Sequence, residues 1–194
     1  MNNSRSEVNI ILPAYNEEDS LRILLPDLRM KYPDYKITVI NDGSTDSTAE
    51  VCKDNGIKVV SHPYKMGNGA SIKTGARSAD CDVIVFMDAD GQHATDDVQR
   101  LLDKMQEGFD MVVGARHSDT HTSTLKLFGN SFYNRFASLM TGNKISDLTS
   151  GFRAVRTDIF RKYLYLMPNG FSYPTTSTMA FFRSGHAVTY IPIR

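Results

Sequence analysis

Short apolar runs alternate with mixed polar and apolar stretches through the first half of the chain. Such runs are typical of strands in parallel sheets, which are covered on both faces. We predict strands at Val8–Leu12, Lys36–Ile40, Ile57–Val60, Val83–Met87 and Met111–Gly114. Between them we predict helices at Ser20–Lys31, Thr48–Asn55, Ala70–Ala79 and Asp96–Gln106. This alternation predicts an α/β fold, with a mostly parallel sheet flanked by helices on both faces.

Two of these helices carry sequence signals at their ends. Ser47 followed by Glu50 matches a capping box, and Gly56 is suited to end the same helix. Thr95 is a good cap for the helix at Asp96–Gln106. We therefore expect the Ser47 and Thr95 side chains to bond to the backbone of the helices that follow them.

The second half of the chain is less regular. Apolar residues recur at helical spacing over Leu125–Met140, which predicts an amphipathic helix. Its apolar face has two interpretations: ordinary core packing, or a surface lying against a bilayer or a lipid substrate. Further helices are predicted near Asp158–Leu166 and Thr175–Ser184, and a closing strand at Ala187–Ile193.

Composition and charge narrow the class of protein. A chain of 194 residues suits one sizeable domain. Its 22 basic and 22 acidic residues balance, so no global field attracts nucleic acid and any anion site must be local. Cys52 and Cys81 lack metal or redox spacing, which fits a reducing compartment.

Without a signal segment or an apolar run of about 18 residues we expect a soluble cytosolic domain. Its abrupt end after a strand-like run suggests a longer parent protein.

The most informative segment follows the predicted strand Val83–Met87. Asp88 and Asp90 stand one residue apart at its carboxyl end, and Gly91 and Gln92 come next. Ligands of open α/β sheets bind at that end, and these oxygen donors suit Mg²⁺ or Mn²⁺, which in turn hold a diphosphate. The alternative is a strand-end turn whose aspartates cap the next helix. We favour the metal site.

Polar residues also follow the first two strands. After strand one, Pro13 fixes the backbone, Tyr15 offers a flat surface for a base, and Glu17 can accept from a ribose. After strand two, Asp42 can accept a hydrogen bond from a nucleobase N–H, although the Ser and Thr residues that follow also suit a helix cap. Because all these residues come at the same edge of a parallel sheet, they predict a nucleotide cleft.

A glycine-rich segment at 65–75 resembles two phosphate-binding motifs without matching either. A P-loop needs glycine where Ile72 stands, and Lys73 occupies the third-glycine position of a dinucleotide fingerprint. What remains is a glycine turn around Gly69 that opens a helix. It can meet a phosphate through backbone N–H groups, or it can simply allow close helix–sheet packing.

Taken in order, these segments resemble the GT-A glycosyltransferases, specifically the inverting family two. Within that family the chain is most similar to the polyprenyl-phosphate sugar transferases of the dolichol-phosphate mannose synthase type. The resemblance runs through Pro13-Ala14-Tyr15-Asn16-Glu17, Asn41-Asp42-Gly43-Ser44, Gly67-Asn68-Gly69, Asp88-Ala89-Asp90, Gly114-Ala115-Arg116 and Asp147-Leu148-Thr149-Ser150-Gly151-Phe152-Arg153.

The resemblance implies a role for each matching position. It implies one catalytic domain over 1–194, with a nucleotide-sugar half at about 1–115 and an acceptor half at about 116–194. The implied nucleotide-binding residues are Pro13, Tyr15, Glu17, Asp42, Gly69 and Asp88, and the implied ligands of Mg²⁺ or Mn²⁺ are Asp88, Asp90 and Gln92. Arg116 and Arg153 would face anionic groups, including the phosphate of a lipid acceptor, and Asp147, Asp90 and Arg153 would be catalytic.

The role of Asp147 stays open at this point. In relatives that glycosylate a sugar hydroxyl, an acidic residue near this position removes the acceptor proton. A phosphate acceptor is already an anion and needs no strong base. Asp147 would then orient the acceptor or Arg153, or cap a turn.

Several other features limit or qualify the resemblance. Many polyprenyl-phosphate relatives carry glutamates where this chain has Ser172-Tyr173-Pro174, and many continue into membrane helices. His93 follows the acidic motif, but Gln92 is the better match to a metal ligand. His117 and His121 belong to a polar loop at 116–124 that either closes over the donor or is an inert connection.

The expected reaction is inverting, metal-dependent transfer of a sugar from a UDP- or GDP-linked donor to a polyprenyl phosphate, at the cytoplasmic face of a membrane. Transfer to a glycan hydroxyl is the second possibility. A haloacid dehalogenase-type phosphatase also places Asp-x-Asp-Gly after a strand, but usually after the first strand, not the fourth. A binding domain without turnover is the non-catalytic alternative.

Overall fold

The computed structural model describes residues 7–116 and 145–193. In these ranges seven strands form one sheet in the order β3-β2-β1-β4-β6-β5-β7. The strands are β1 (Val8–Ala14), β2 (Lys36–Asn41), β3 (Lys58–Ser61), β4 (Val83–Phe86), β5 (Met111–Arg116), β6 (Arg153–Arg156) and β7 (Val188–Ile193). Pairing is parallel everywhere except around β6, which runs antiparallel to both β4 and β5.

In the described ranges, six α-helices and one short 3₁₀ helix cover the two faces of this sheet. The α-helices are α1 (Glu18–Lys31), α2 (Thr48–Asp54), α3 (Asn68–Ser78), α4 (Asp96–Met105), α5 (Thr157–Lys162) and α6 (Tyr173–Arg183), and the 3₁₀ turn is Leu164–Leu166. The predicted elements of the described ranges are all present, with no end shifted by more than two residues, except that Asp158–Leu166 divides into α5 and the 3₁₀ turn. The predicted helix Leu125–Met140 and the loop histidines His117 and His121 lie outside the described residues.

Alternate residues along the strands point to opposite faces of the sheet and belong to two separate hydrophobic cores. On β1, Ile10 and Leu12 pack with leucines of α1 and with α2 and α4, whereas Ile11 packs with α3, α5 and α6 on the other face. All three β1 side chains are fully buried. The sheet is therefore covered on both faces, as the continuous apolar runs predict.

Strand β6 was not predicted. Its four residues pair with β4 in the register Phe86↔Arg153 and Val83↔Arg156, and with β5 through Val113↔Arg153. Because β6 is antiparallel, the segment that precedes it, at 147–152, meets the carboxyl ends of β1, β2, β4 and β5 at one edge of the sheet.

The two predicted side-chain caps are wrong. Neither Ser47 nor Thr95 bonds to the start of its helix through its side chain. At α2 the Asp46 carboxylate accepts from the Thr48 N–H at 3.0 Å instead. The Thr95 hydroxyl donates to Asp27 on α1, so it ties two helices together rather than capping one. Gly56 does follow the end of α2, with the left-handed φ of 63° that suits glycine.

None of the helices in the described ranges is long and apolar enough to cross a membrane.

Candidate active site

A cleft of about 600 Å³ opens at the edge of the sheet where these strand ends meet. Its wall is built from the turns after β1, β2, β3 and β4, the start of α3, the last residue of β5, and the segments that precede β6 and begin α6. The lining residues are Pro13, Ala14, Tyr15, Glu17, Asp42, Lys65, Gly67, Asn68, Ser71, Asp88, Ala89, Asp90, Arg116, Thr149, Gly151, Phe171, Tyr173 and Pro174. The cleft thus gathers residues from both halves of the sequence.

The turn after β1 is tied to the turn after β2. Asn16 takes a left-handed φ of 55°, and the N–H of Glu17 donates to the Thr48 hydroxyl at 3.0 Å. The Glu17 carboxylate accepts from the Ser20 hydroxyl at 3.0 Å. Tyr15 is exposed, and the Lys65 ammonium lies 3.6 Å from the centre of its ring. This end of the cleft therefore presents an aromatic face, a carboxylate and a cation.

Asp42 lines the cleft but is largely engaged within the protein. Its Oδ1 accepts from the Met66 N–H at 2.8 Å and from His62 Nδ1 at 2.8 Å, and its Oδ2 accepts from the Gly67 N–H at 2.8 Å. The His62 ring in turn bonds to the Thr74 hydroxyl at 2.9 Å. Asp42 thus holds the turn before α3, and Oδ2, with one N–H bound, keeps more acceptor capacity for a ligand.

Gly69 is buried and is not among the lining residues. A Cβ there would overlap the carbonyl oxygen of Pro168 and lie 2.8 Å from that of Gly170. Its place in the fold is a close approach of α3 to the 168–170 segment. The neighbouring Gly67 lines the cleft, as do Asn68, whose Oδ1 is buried without a hydrogen-bond partner, and Ser71.

Asp88 and Asp90 both line the middle of the cleft. Asp90 Oδ1 accepts from the backbone N–H of Gln92 at 3.0 Å, but the Gln92 side chain is exposed and does not line the cleft. His93 lies closer: its Nε2 is 3.5 Å from Asp88 Oδ2, and its ring stacks on Phe152. The structure therefore brings together two of the three expected metal ligands, and not the side chain of Gln92.

Two adjacent carboxylates fit Mg²⁺ or Mn²⁺. Mg²⁺ is commonly held by one or two carboxylates, with substrate phosphates and water completing its coordination. Within the described ranges no three His, Cys, Asp or Glu side chains converge on one point. Asp88 and Asp90 would therefore hold the ion together with a bound diphosphate.

At the far end of the cleft lies an arginine whose guanidinium is held in place by hydrogen bonds. Arg116, the last residue of β5, donates from Nε to Asp147 Oδ2 at 3.0 Å and from an Nη to the Thr149 hydroxyl at 2.9 Å. Asp147 also accepts from the backbone N–H groups of Thr149 and Ser150, each at 3.1 Å. About half of the Arg116 side chain remains exposed. Asp147 itself lies behind the lining, where it orients Arg116.

The same contacts set the protonation of the pair. Burial raises the pKa of the Asp147 carboxyl, but the bonds from Arg116 and Thr149 outweigh it and hold that pKa below its ordinary value. The bond to Asp147 raises the pKa of Arg116. A carboxylate with a lowered pKa is a weak base, so this geometry suits orientation better than proton removal.

Arg153 does not reach the cleft. Its side chain is fully buried, and it donates to the Pro174 carbonyl at 3.1 Å, to the hydroxyls of Ser177 and Thr178, and to the Ser150 carbonyl. Burial lowers the pKa of its guanidinium. In this arrangement Arg153 holds the 147–152 segment against α6 and does not face an anion, as had been expected.

Sequence reasoning missed part of the cleft. It assigned no role to Lys65, Asn68, Ser71 and Thr149, although the first three stand in or beside the glycine turn. It gave no role to Phe171 and treated Tyr173 and Pro174 only as part of a departure from the family pattern. Tyr173 is fully buried, and its hydroxyl donates to the Gly151 carbonyl at 3.1 Å. Nothing in the sequence alone shows that this segment folds back onto the end of β4.

Solved structures share this fold. The glucosyl-3-phosphoglycerate synthase of Mycobacterium tuberculosis, solved with Mn²⁺, uridine diphosphate and phosphoglyceric acid, superposes with a TM-score of 0.78. It is 18% identical, and the match covers 97% of this chain and 69% of that one. The same enzyme with Mn²⁺ and UDP-glucose gives a TM-score of 0.74 at 20% identity, covering 98% and 71%. The GT-A fold is thereby confirmed.

Several relatives at higher identity are polyprenyl-phosphate enzymes. The undecaprenyl-phosphate mannosyltransferase of Micrococcus luteus is 30% identical, with 94% of this chain and 81% of the relative covered. The polyprenol monophosphomannose synthase of Mycolicibacterium smegmatis is 28% identical, with 95% and 75% covered. Other relatives are longer: an undecaprenyl-phosphate 4-deoxy-4-formamido-L-arabinose transferase of Pseudomonas fluorescens is 32% identical, and 47% of its length is covered.

The family model described as "Glycosyl transferase family 2" matches residues 9–164, which is most of the chain. This match confirms the resemblance found in the sequence and rejects the phosphatase interpretation. The chain belongs to glycosyl transferase family 2, and it is a glycosyltransferase.

Proposed function

We propose that this glycosyltransferase moves a sugar from a nucleotide diphosphate sugar to a polyprenyl phosphate. One observation carries the proposal: a single cleft has Tyr15 and Asp42 at one end, Asp88 and Asp90 in the middle, and Arg116 at the other. A donor fits with its base near Asp42 and its diphosphate near Asp88 and Asp90. The anomeric carbon then lies toward Arg116, where an acceptor phosphate can bind.

The acidic pair in the middle of the cleft supports binding of the expected divalent metal ion. Asp88 and Asp90 would hold Mg²⁺ or Mn²⁺, and the bound ion would neutralise the negative charge that develops on the diphosphate. Lys65 at the nucleotide end adds a further cation within the lining. The protein residues themselves bind and orient the donor.

A phosphate acceptor explains the state of Asp147. The pKa of Asp147 is held low and its oxygens are engaged by Arg116, Thr149 and Ser150, so it is poorly suited to deprotonate a hydroxyl. A phosphate oxygen is already anionic and attacks without a base. Arg116, held by Asp147, supplies a half-exposed guanidinium that can donate a hydrogen bond to a phosphate. Attack from the face opposite the leaving diphosphate would invert the anomeric centre.

Calorimetry tests the donor site. We expect wild type to bind one of UDP or GDP in Mn²⁺ and to lose most of that affinity in EDTA. Asp90→Asn should weaken binding at least about tenfold, because the ion loses a carboxylate ligand. Asp54→Asn on α2, an exposed acid away from the cleft, is the matched control. A folded sample that binds no nucleotide would contradict the proposal.

Product analysis tests the acceptor. A short-chain polyprenyl phosphate should be glycosylated, whereas the polyprenol without phosphate and small oligosaccharides should not. Arg116→Gln should raise the acceptor KM with little change in nucleotide affinity, and Arg116→Lys should recover part of the loss. Transfer to an oligosaccharide and not to the lipid phosphate would favour the glycan-hydroxyl alternative.

A further inference from the structure

We propose that a basic and apolar strip beside the cleft docks on an anionic lipid bilayer. The strip consists of residues 63–78, which include α3, and residues 159–172, which run from α5 to the start of α6. The inference rests on the proposed function insofar as a lipid acceptor requires the cleft to work at a membrane. It adds the surface that makes the contact.

The two segments form one continuous surface. At one end of α3 the Arg161 guanidinium donates to the Ala76 carbonyl at 2.7 Å, and near its middle the Lys73 ammonium donates to the Met167 carbonyl at 3.0 Å. At the other end the Asn169 carbonyl accepts from a backbone N–H in the first turn of α3 at 3.2 Å. The 159–172 segment is therefore attached along the whole length of the helix.

This strip concentrates the exposed apolar side chains. Of eight large hydrophobic residues that are exposed in the described ranges, five belong to it: Tyr64 (66% exposed), Met66 (37%), Tyr165 (80%), Leu166 (45%) and Phe171 (83%). Ile23 and Met30 on α1 and Tyr15 in the cleft are the others. Clustered exposed apolar groups of this kind mark interaction surfaces, and tyrosine suits the level of lipid headgroups.

The strip also concentrates positive charge in a protein whose net charge is zero. No aspartate or glutamate occurs in residues 62–79 or 159–193, and the nearest acids along the chain are Asp80 and Asp158, beyond the end of the strip remote from the cleft. The cationic residues of the strip are Lys65, Lys73, Arg77, Arg161 and Lys162. A surface that combines exposed apolar and cationic side chains is complementary to an anionic lipid bilayer. An acidic polypeptide would match only its charge, and an apolar polypeptide only its apolar groups.

Two residues join the strip to the cleft. Lys65 and Phe171 belong to the strip and also line the cleft. Docking would therefore bring the cleft mouth to the headgroup layer, where the phosphate of a lipid acceptor lies. The soluble donor would enter from the remaining open side.

Vesicle co-sedimentation tests the strip without donor or acceptor. Wild type should bind phosphatidylglycerol–phosphatidylcholine vesicles and bind pure phosphatidylcholine vesicles far more weakly. Arg77→Glu with Lys162→Glu should lower the partition coefficient at least about twentyfold, because two attractions become repulsions. Tyr165→Ser with Leu166→Ser should lower it about tenfold. None of these four residues lines the cleft.

The fold offers matched controls on another surface. Ile23→Ser with Met30→Ser removes two highly exposed apolar groups from α1, and Lys53→Glu with Lys58→Glu reverses exposed charges near β3. Both control pairs should bind vesicles like wild type, and circular dichroism should show each variant folded. The proposal would be overturned if wild-type protein failed to bind anionic vesicles, or if the control pairs lost as much binding as the strip pairs.

A second readout separates docking from catalysis. The strip variants should lose transfer to a long-chain polyprenyl phosphate in vesicles but keep transfer to a water-soluble short-chain one. If wild-type protein glycosylates neither acceptor while the vesicle results are as expected, the proposed function is wrong and the docking inference stands. If the strip variants use both acceptors equally well, the docking inference is wrong and the transferase activity stands.

Discussion

At the scale of single residues, Asp147 shows how a carboxylate contributes to a site without lining it. It accepts from the backbone N–H groups of Thr149 and Ser150 as well as from the Arg116 guanidinium. Asp147→Asn keeps an oxygen for the backbone bonds and removes the charge that holds Arg116. We expect the free energy of unfolding to fall by about 1–2 kcal/mol and the acceptor KM to rise, with donor affinity unchanged. Urea unfolding and steady-state kinetics measure the two effects.

The pH dependence of this pair has a definite sign. The pKa of Asp147 is lower in the folded protein than the ordinary value of 3.8, so its charge stabilises the fold at pH values above 3.8. That contribution is lost as pH falls below 3.8 through the folded pKa. The difference in unfolding free energy between wild type and Asp147→Asn should therefore be constant near neutral pH and shrink below 3.8. A difference that stays constant in acid would show that Asp147 is not held as an anion.

His62 is a second residue that acts through a carboxylate. Asp42 only accepts, so His62 Nδ1 carries the proton between them in either protonation state of the ring. His62→Leu removes a donor to a buried carboxylate and should cost about 1.5–3 kcal/mol of stability. Amide exchange at Met66 and Gly67 should quicken. His62→Asn, which keeps a donor near Nδ1, should recover much of the loss, and equal losses in both variants would mean that packing alone matters.

The site residues divide into those that sequence predicts and those that it does not. Asp42, Asp88 and Asp90 follow strands, and the carboxyl ends of parallel strands meet at one edge, so their convergence is predictable. Which side chain after Asp90 turns back toward Asp88 is set by local backbone geometry. The sequence favoured Gln92, but the structure places His93 there. The expectation that Arg153 faces an anion was not met for a different reason. Arg153 is buried because it belongs to β6, a strand that the sequence pattern does not reveal.

At the scale of elements, that strand is β6. Arg-Ala-Val-Arg is too short and too charged at both ends to be recognised as a strand by pattern. Its burial comes from its neighbours, since β4 and β5 enclose it and α6 supplies the acceptors for Arg153. Local sequence could predict the βα units of the first half, whereas β6 depends on contacts with residues far away in the chain.

The close approach of α3 to the 168–170 segment yields a glycine prediction. Gly69→Ala would push a Cβ into the carbonyls of Pro168 and Gly170, which are backbone atoms and cannot move aside cheaply. We expect a loss of about 1–3 kcal/mol in urea unfolding. Gly170→Ala is the matched control, because a Cβ there meets nothing within 4 Å. If both variants unfold alike, the packing of α3 against this segment is looser than the distances indicate.

At the scale of the whole molecule, the cleft should stabilise the protein when it is filled. A ligand that binds only the folded state adds about 2.7 kcal/mol at one hundred times its Kd. For a chain of this length that corresponds to a rise of roughly 5–10 °C in Tm. The preferred nucleoside diphosphate with Mn²⁺ should produce this rise, and EDTA should abolish it. A rise of equal size with inorganic diphosphate would show that the base contributes little.

The antiparallel insertion of β6 also constrains how the protein is made. β1, β2, β3 and β4 lie within the first 86 residues and pair with one another, but β4 meets β6, and β5 reaches the sheet only through β6. A chain emerging from the ribosome therefore displays the bare edge of β4 until about 70 further residues have been synthesised. Exposed apolar strand edges invite pairing with other chains. Biogenesis, rather than catalysis, is thus the stage at which we expect this enzyme to depend most on chaperones.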